Sequence, residues 1–201
     1  MRTPFAILFV LSLLALASCM ARPEEPLSIA AANGDFDTIQ RLLNQGASAA
    51  DRQSALVWAA RSGQPDAIYL LIRNGADPNG VSGVNNWTVL MHAVHKNQPK
   101  SVAALLKSGV RVNAAGERGQ TALMMAAGYG YTDLVRLLLD GGADAHATLS
   151  NGDNSLDLAL SGVMDIDRFT WGSCQTETVK LLRERAPDLT PKNPHKLAKC
   201  S

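Results

Sequence analysis

Neither sign of charge dominates this chain: 19 Lys and Arg stand against 18 Asp and Glu over 201 residues. If Arg2 leaves with an N-terminal leader, the remainder is formally neutral. Such balance argues against a partner held by charge alone, whether nucleic acid or an anionic surface. Basic residues do gather near the end, at Arg183, Arg185, Lys192, Lys196 and Lys199. Glu184 and Asp188 lie among them, and the group reads as a solvated tail. The chain also lacks an apolar run of bilayer-spanning length; the longest, Phe5 to Ala17, is short and interrupted by Ser12. Signatures of catalysis are missing too. There is no nucleophile elbow, no His-Glu-x-x-His and no Cys-x-x-Cys, so no catalytic constellation, metal or cofactor is expected and the chain does not read as an enzyme.

What the chain has instead is repetition. Leu-x-x-Ala-Ala-x-x-Gly, or a near variant, begins at Leu27, Leu56, Leu90, Leu123 and Leu156. Behind it comes a Leu pair and then a glycine: Leu42-Leu43 with Gly46, Leu70-Leu71 with Gly75, Leu105-Leu106 with Gly109, Leu137-Leu138 with Gly142. A period of roughly 33 residues marks a stacked array, in which each unit covers its neighbour's apolar face. Small residues at Ala30-Ala31, Ala59-Ala60 and Ala126-Ala127 let the first helices of successive units approach closely. Gly34, Gly63 and Gly130 suit the left-handed cap that ends such a helix. Ile39, Leu42 and Leu43, or Ile68, Leu71 and Ile72, form one apolar stripe on the second helix. The glycines at 46, 75, 109 and 142 then turn the chain into a projecting finger. Asp35, Asp66 and Asp133 sit where helix N-termini favour an acid.

The fourth unit is the clearest: Gly119-Gln120-Thr121-Ala122-Leu123-Met124-Met125-Ala126-Ala127, then Leu134-Val135-Arg136-Leu137-Leu138-Leu139, then Gly142-Ala143-Asp144. This resembles the ankyrin-repeat family, whose pattern is Gly-x-Thr-Pro-Leu-His-x-Ala-Ala, Ile-Val-x-Leu-Leu-Leu and Gly-Ala-Asp-x-Asn. The resemblance covers Leu27 to Asp188 and implies an all-α ankyrin solenoid of five units over 27–190. Departures are informative. Met91 and Met124 stand in the place of the family's His, Asn97 replaces a glycine, and Ala49 leads almost directly to Gln53, a short finger. The stretch from Asp77 to Trp87 is slightly long, and the fifth unit carries an insertion near 163–175 that includes Phe169 and Trp171. These two rings are expected to fold back over the last helices.

Residues 1–18 read as an export signal, with a basic start and an apolar run. Leu16-Ala17-Ser18-Cys19 looks like the lipobox of bacterial lipoproteins, which implies diacylglycerol on Cys19 and a short Pro-containing spacer over 19–26. An ordinary peptidase site at Ala15-Leu16-Ala17, releasing a soluble protein, is the alternative. Met20 does not resemble the inner-membrane retention signal, so anchoring in the inner leaflet of the outer membrane, facing the periplasm, is expected. Cys174 and Cys200 lie where disulfides survive and form a candidate pair, beyond which 191–201 reads as a tail.

In ankyrin proteins partners touch the finger tips and the exposed ends of the first helices. Carried onto this chain, the resemblance implies finger contacts at Asn85, Trp87, Glu117, Arg118, Gln120, Asn151 and Asp153, and helix-end contacts at Arg61, His95, Lys96 and Tyr129. Trp87 and Tyr129 are the expected anchors, because large rings with polar reach dominate interface energetics. Trp58 is expected to fill space beside a helix. His92 and His95, three apart, share a helix face, but no third ligand accompanies them. Gly128-Tyr129-Gly130 follows a helix and not a strand, so it reads as a helix end and not a dinucleotide loop. The expected role is non-enzymatic protein binding by a monomer, as an envelope scaffold or accessory protein; the alternative is an immunity protein that neutralises a toxin in the periplasm.

Overall fold

The computed structural model describes residues 23, 25–83, 85–162, 173–192 and 200. The expected signal peptide and Cys19, Phe169 and Trp171 of the insertion, and residues 193–199 of the tail lie outside the described residues.

Five consecutive helix pairs occupy the described chain: α1 (Pro26–Asn33) with α2 (Phe36–Asn44), α3 (Ala49–Arg61) with α4 (Pro65–Arg73), α5 (Val89–His95) with α6 (Pro99–Lys107), α7 (Ala122–Tyr129) with α8 (Thr132–Asp140), and α9 (Ser155–Ser161) with α10 (Thr176–Arg185). Local chemistry sets the boundaries. Proline opens α1, α4 and α6, where its missing N–H is no loss. Thr88 and Thr121 cap α5 and α7, their hydroxyls accepting from the backbone N–H of Met91 and Met124. Asp35 does the same for α2 through Thr38, and that hydrogen bond holds its carboxyl below the usual range. α1 and α7 end on Gly34 and Gly130 at φ 70° and 72°, while Asn97 occupies the same left-handed region at φ 51°.

First helices stack on first helices, α1 on α3, α3 on α5, α5 on α7 and α7 on α9, and from α4 onward the second helices form a parallel row. The core therefore runs the length of the stack. Ala31, Ala59, Ala60, Ala126 and Ala127 are sealed completely, with Leu56, Leu71, Leu105, Leu134 and Leu138 between the layers. Met91 and Met124 are buried in the space left by the missing family histidine. A feature absent from the sequence reading ties the units together. Each of Gln64 and Gln98, at the start of a second helix, lays its amide over the preceding unit's terminal glycine; a Cβ on Gly34 or Gly63 would come within 2.7 or 2.5 Å of it.

Two connections differ from the expected fingers. After α2 there is no projecting finger: Ala49 to Gln53 are helical, because Ser48 and Asp51 form a reciprocal capping box that starts α3 early. After α4 the longer connection contains a small antiparallel hairpin, β1 (Val81–Ser82) with β2 (Trp87–Thr88), so the array is not purely helical. The fingers are stitched to one another, and the first of them to α3, by side-chain amides. Gln53 brackets the main chain of Asp77, Asn79 accepts from Arg111 N–H at 2.7 Å, and Asn113 accepts from Asp144 N–H at 2.8 Å.

The C-terminal segment folds back on the fifth unit. Cys174 and Cys200 form a disulfide with Cα atoms 5.6 Å apart. Asn154 donates to Thr190 O, Lys192 N–H donates to the buried Asp157 carboxylate, and Arg185 pairs with Asp140. Among the described residues no helix is long and apolar enough to cross a membrane.

Candidate functional site

The C-terminal turns of successive first helices bring a line of rings together along one side of the stack. Trp58 and Arg61 lie in the last turn of α3, and the Arg61 guanidinium carbon sits 5.0 Å from the Trp58 ring centre. Arg61 then reaches the next unit, 3.4 Å from His92 Nδ1. Because a guanidinium only donates, Nδ1 must accept, which leaves the proton on Nε2 to donate to Ser82 Oγ at 2.8 Å. Burial first, then the charges of Arg61 and His95, pull the His92 pKa down to about 4. Trp87, delivered by β2, packs against both imidazoles, with centroids 5.6 Å from His92 and 5.0 Å from His95. His95 Nδ1 lies 3.1 Å from Tyr129 Oη on α7, and Tyr129 packs 5.3 Å from Tyr131. Rings and one guanidinium thus run in contact across three units.

A second cluster lies at the finger tips. Glu117–Gly119 form a single 3-10 turn whose Glu117 N–H donates to Asn85 O at 3.1 Å, and Ser150 N–H donates to Arg118 O at 2.8 Å. Close approach favours glycine here, and Gly119 also takes a left-handed φ of 82°. A Cβ on Gly116 would sit 3.2 Å from Asn85 O, and one on Gly119 3.0 Å from Thr148 O. Between the three zipped fingers opens a cleft of about 560 Å³, lined by Asn85, by Glu117, Arg118 and Gln120, and by Leu149, Ser150 and Asn151.

The expected contact residues therefore divide into two groups. Arg61, Trp87, His95 and Tyr129 belong to the ring line, with Lys96 beside them at the end of α5. Asn85, Glu117, Arg118, Gln120 and Asn151 line the cleft, with Asp153 behind, accepting from the Asn151 amide. Two of them are more deeply packed than the finger and helix-end assignments imply. His95 is 7% exposed, and Trp87 is half-buried with its Nε1 enclosed and without a hydrogen-bond partner among the described residues. The Trp87 ring supports the line of rings as well as presenting an edge. His92 is likewise buried and engaged by Arg61 and Ser82, which suits a packed histidine. Among the described residues no group of three or more His, Cys, Asp or Glu is placed to hold a metal ion. Ser82, Tyr131, Leu149 and Ser150 were not legible as site residues: the hairpin brings Ser82 to His92, Tyr131 joins through Tyr129, and pairing of one finger with the finger before it places Leu149 and Ser150.

The repeated helix pair, the projecting finger and the Asp-x-Asn stitch now have a counterpart in known proteins. A model described as ankyrin repeats (3 copies) matches residues 10–82, 27–116 and 90–193. The chain belongs to the ankyrin-repeat family. An ankyrin repeat-containing protein of Treponema pallidum is 32% identical over 127 residues, 61% of this chain and 43% of that protein. The B-cell lymphoma 3 protein homolog of Mus musculus is 38% identical over 116 residues, 57% of this chain and 26% of that one. A glycerophosphocholine phosphodiesterase of Schizosaccharomyces pombe is 32% identical over 117 residues, 56% of this chain but 10% of that protein. The ankyrin chain thus spans less than half the length of these relatives. An ankyrin array is a protein–protein interaction module, and both clusters described above hold rings, amides and a few charges in fixed positions.

Proposed function

We propose that this ankyrin chain is a periplasmic lipoprotein, anchored through Cys19 in the inner leaflet of the outer membrane, and that it works as a monomeric, non-enzymatic scaffold or accessory protein. A protein partner docks across the line of rings and the finger cleft. One observation carries this reading: Asn85, Glu117, Arg118, Gln120 and Asn151, drawn from three different units, line a single cleft of about 560 Å³. A cleft of that size between rigidly stitched fingers offers a preorganised surface, which lowers the ordering cost of association. The neutral balance of the chain favours a protein over a polyanion.

The test has two arms. Cys19→Ser should abolish acylation by mass and release the protein from the membrane fraction; unchanged membrane retention overturns the anchor. For docking, the soluble form starting at Ala21 is used as bait beside Tyr129→Ala. A dominant partner lost with Tyr129→Ala, at an unchanged melting temperature, supports the assigned surface. Equal capture by both baits overturns it. Nanomolar binding that silences one enzyme would move the role from scaffold to immunity protein.

A further inference from the structure

We infer that the finger cleft is a carboxylate-reading site, in which Arg118 grips an acidic side chain on an extended segment of the protein partner. The inference rests on the docking reading above and names what the cleft recognises. Arg118 adopts φ 60° and ψ 18°, the left-handed region, where glycine is at ease and asparagine is tolerated. The other two non-glycine residues with positive φ among those described, Asn86 and Asn97, are both asparagines. An arginine here is the exception, and its side chain does nothing visible for the fold. It is exposed, and its guanidinium makes no hydrogen bond or ion pair with any described residue. Only its main chain is used, through the bond from Ser150. An uncommon backbone conformation under a cation with no partner among the described residues, at the rim of the cleft, leaves that cation available to a ligand.

The surroundings define the ligand. A guanidinium presents a planar fork that fits a carboxylate through two parallel hydrogen bonds. The side-chain amides of Asn85 and Gln120 have no partners among the described residues, and each offers a donor and an acceptor suited to a peptide main chain. Leu149 supplies an apolar wall. Glu117, also in the lining, offsets part of the positive charge, so a single carboxylate held by the Arg118 fork fits better than a run of phosphates. The Lys192 ammonium is tied to Asn151 O at the edge and adds to the positive side of the cleft.

The test uses the soluble form starting at Ala21, wild type and the variants Arg118→Gly and Arg118→Asn, all compatible with the left-handed backbone. Each is screened against a positional-scanning library of synthetic peptides, and the best peptide is titrated by calorimetry. Wild type should enrich Asp or Glu at one position, both variants should lose that enrichment and at least tenfold in affinity, and Arg118→Gly should melt no lower than wild type. An acidic preference surviving in the variants, or a peptide bound without one, overturns the carboxylate assignment while leaving docking intact. No peptide retained by wild type overturns both readings. A marked fall in melting temperature with Arg118→Gly would make the side chain structural and also overturn the assignment, as would Arg118-dependent binding of a single-stranded oligonucleotide, which would replace the polypeptide with a nucleic acid.

Discussion

Leu123 on α7 belongs to the core and is 1% exposed, so its truncation to Ala leaves a void among close-packed neighbours. The expected cost is about 2 to 5 kcal/mol in urea unfolding. His92 makes a different prediction, through pH. Its folded pKa is about 4 against an ordinary 6.5, so between these values the unfolded chain binds a proton that the folded chain refuses. Stability therefore rises with pH across that window, is lost as pH falls from 6.5 toward 4, and the penalty is complete below it. His92→Gln should show a flatter stability profile from pH 7 to pH 4.5 than wild type, the difference being at most about 3 kcal/mol. Leucine, alanine and glycine positions were legible because each answers to one local rule. His92 and His95 were not: their spacing suggests a shared face, but only Arg61 and Tyr129 of the adjoining units, with Trp87 of the hairpin, decide that they are packed.

Helix caps and connections carry the next level. The repeat template placed all five helix pairs, yet it missed the early start of α3, although Ser48 and Asp51 spell a capping box in the chain. Reading Ala49 to Gln53 as a shortened finger applied the family's spacing where a local signal was stronger. The small β1–β2 hairpin follows from the long Asp77–Trp87 connection, and it delivers Trp87 onto the histidines instead of leaving the ring fully exposed. At the other end, the disulfide closes a 26-residue separation over the last unit. Reduction, or Cys174→Ser with Cys200→Ser, should lower stability by roughly 3 kcal/mol on loop-entropy grounds. Hydrogen exchange should rise first in α9 and α10, since contacts in a stack reach only the adjoining unit; uniform acceleration from α1 to α10 would contradict that localisation.

On the scale of the whole molecule, the array holds a continuous thin core and gathers rings and polar side chains at the helix ends and finger tips. Neither cluster belongs to one unit. The rings run from Trp58 to Tyr131 and the cleft from Asn85 to Asn151, so the geometry of both depends on the rigidity of the stack between them. The most direct measurement is site-specific photo-crosslinking in living cells, with the reactive residue placed at Gln120 in the cleft or at exposed Lys107 at the end of α6. The account predicts a discrete crosslinked protein from position 120 and none from position 107. Equal crosslinking from both, or a partner trapped from position 107 alone, would contradict it.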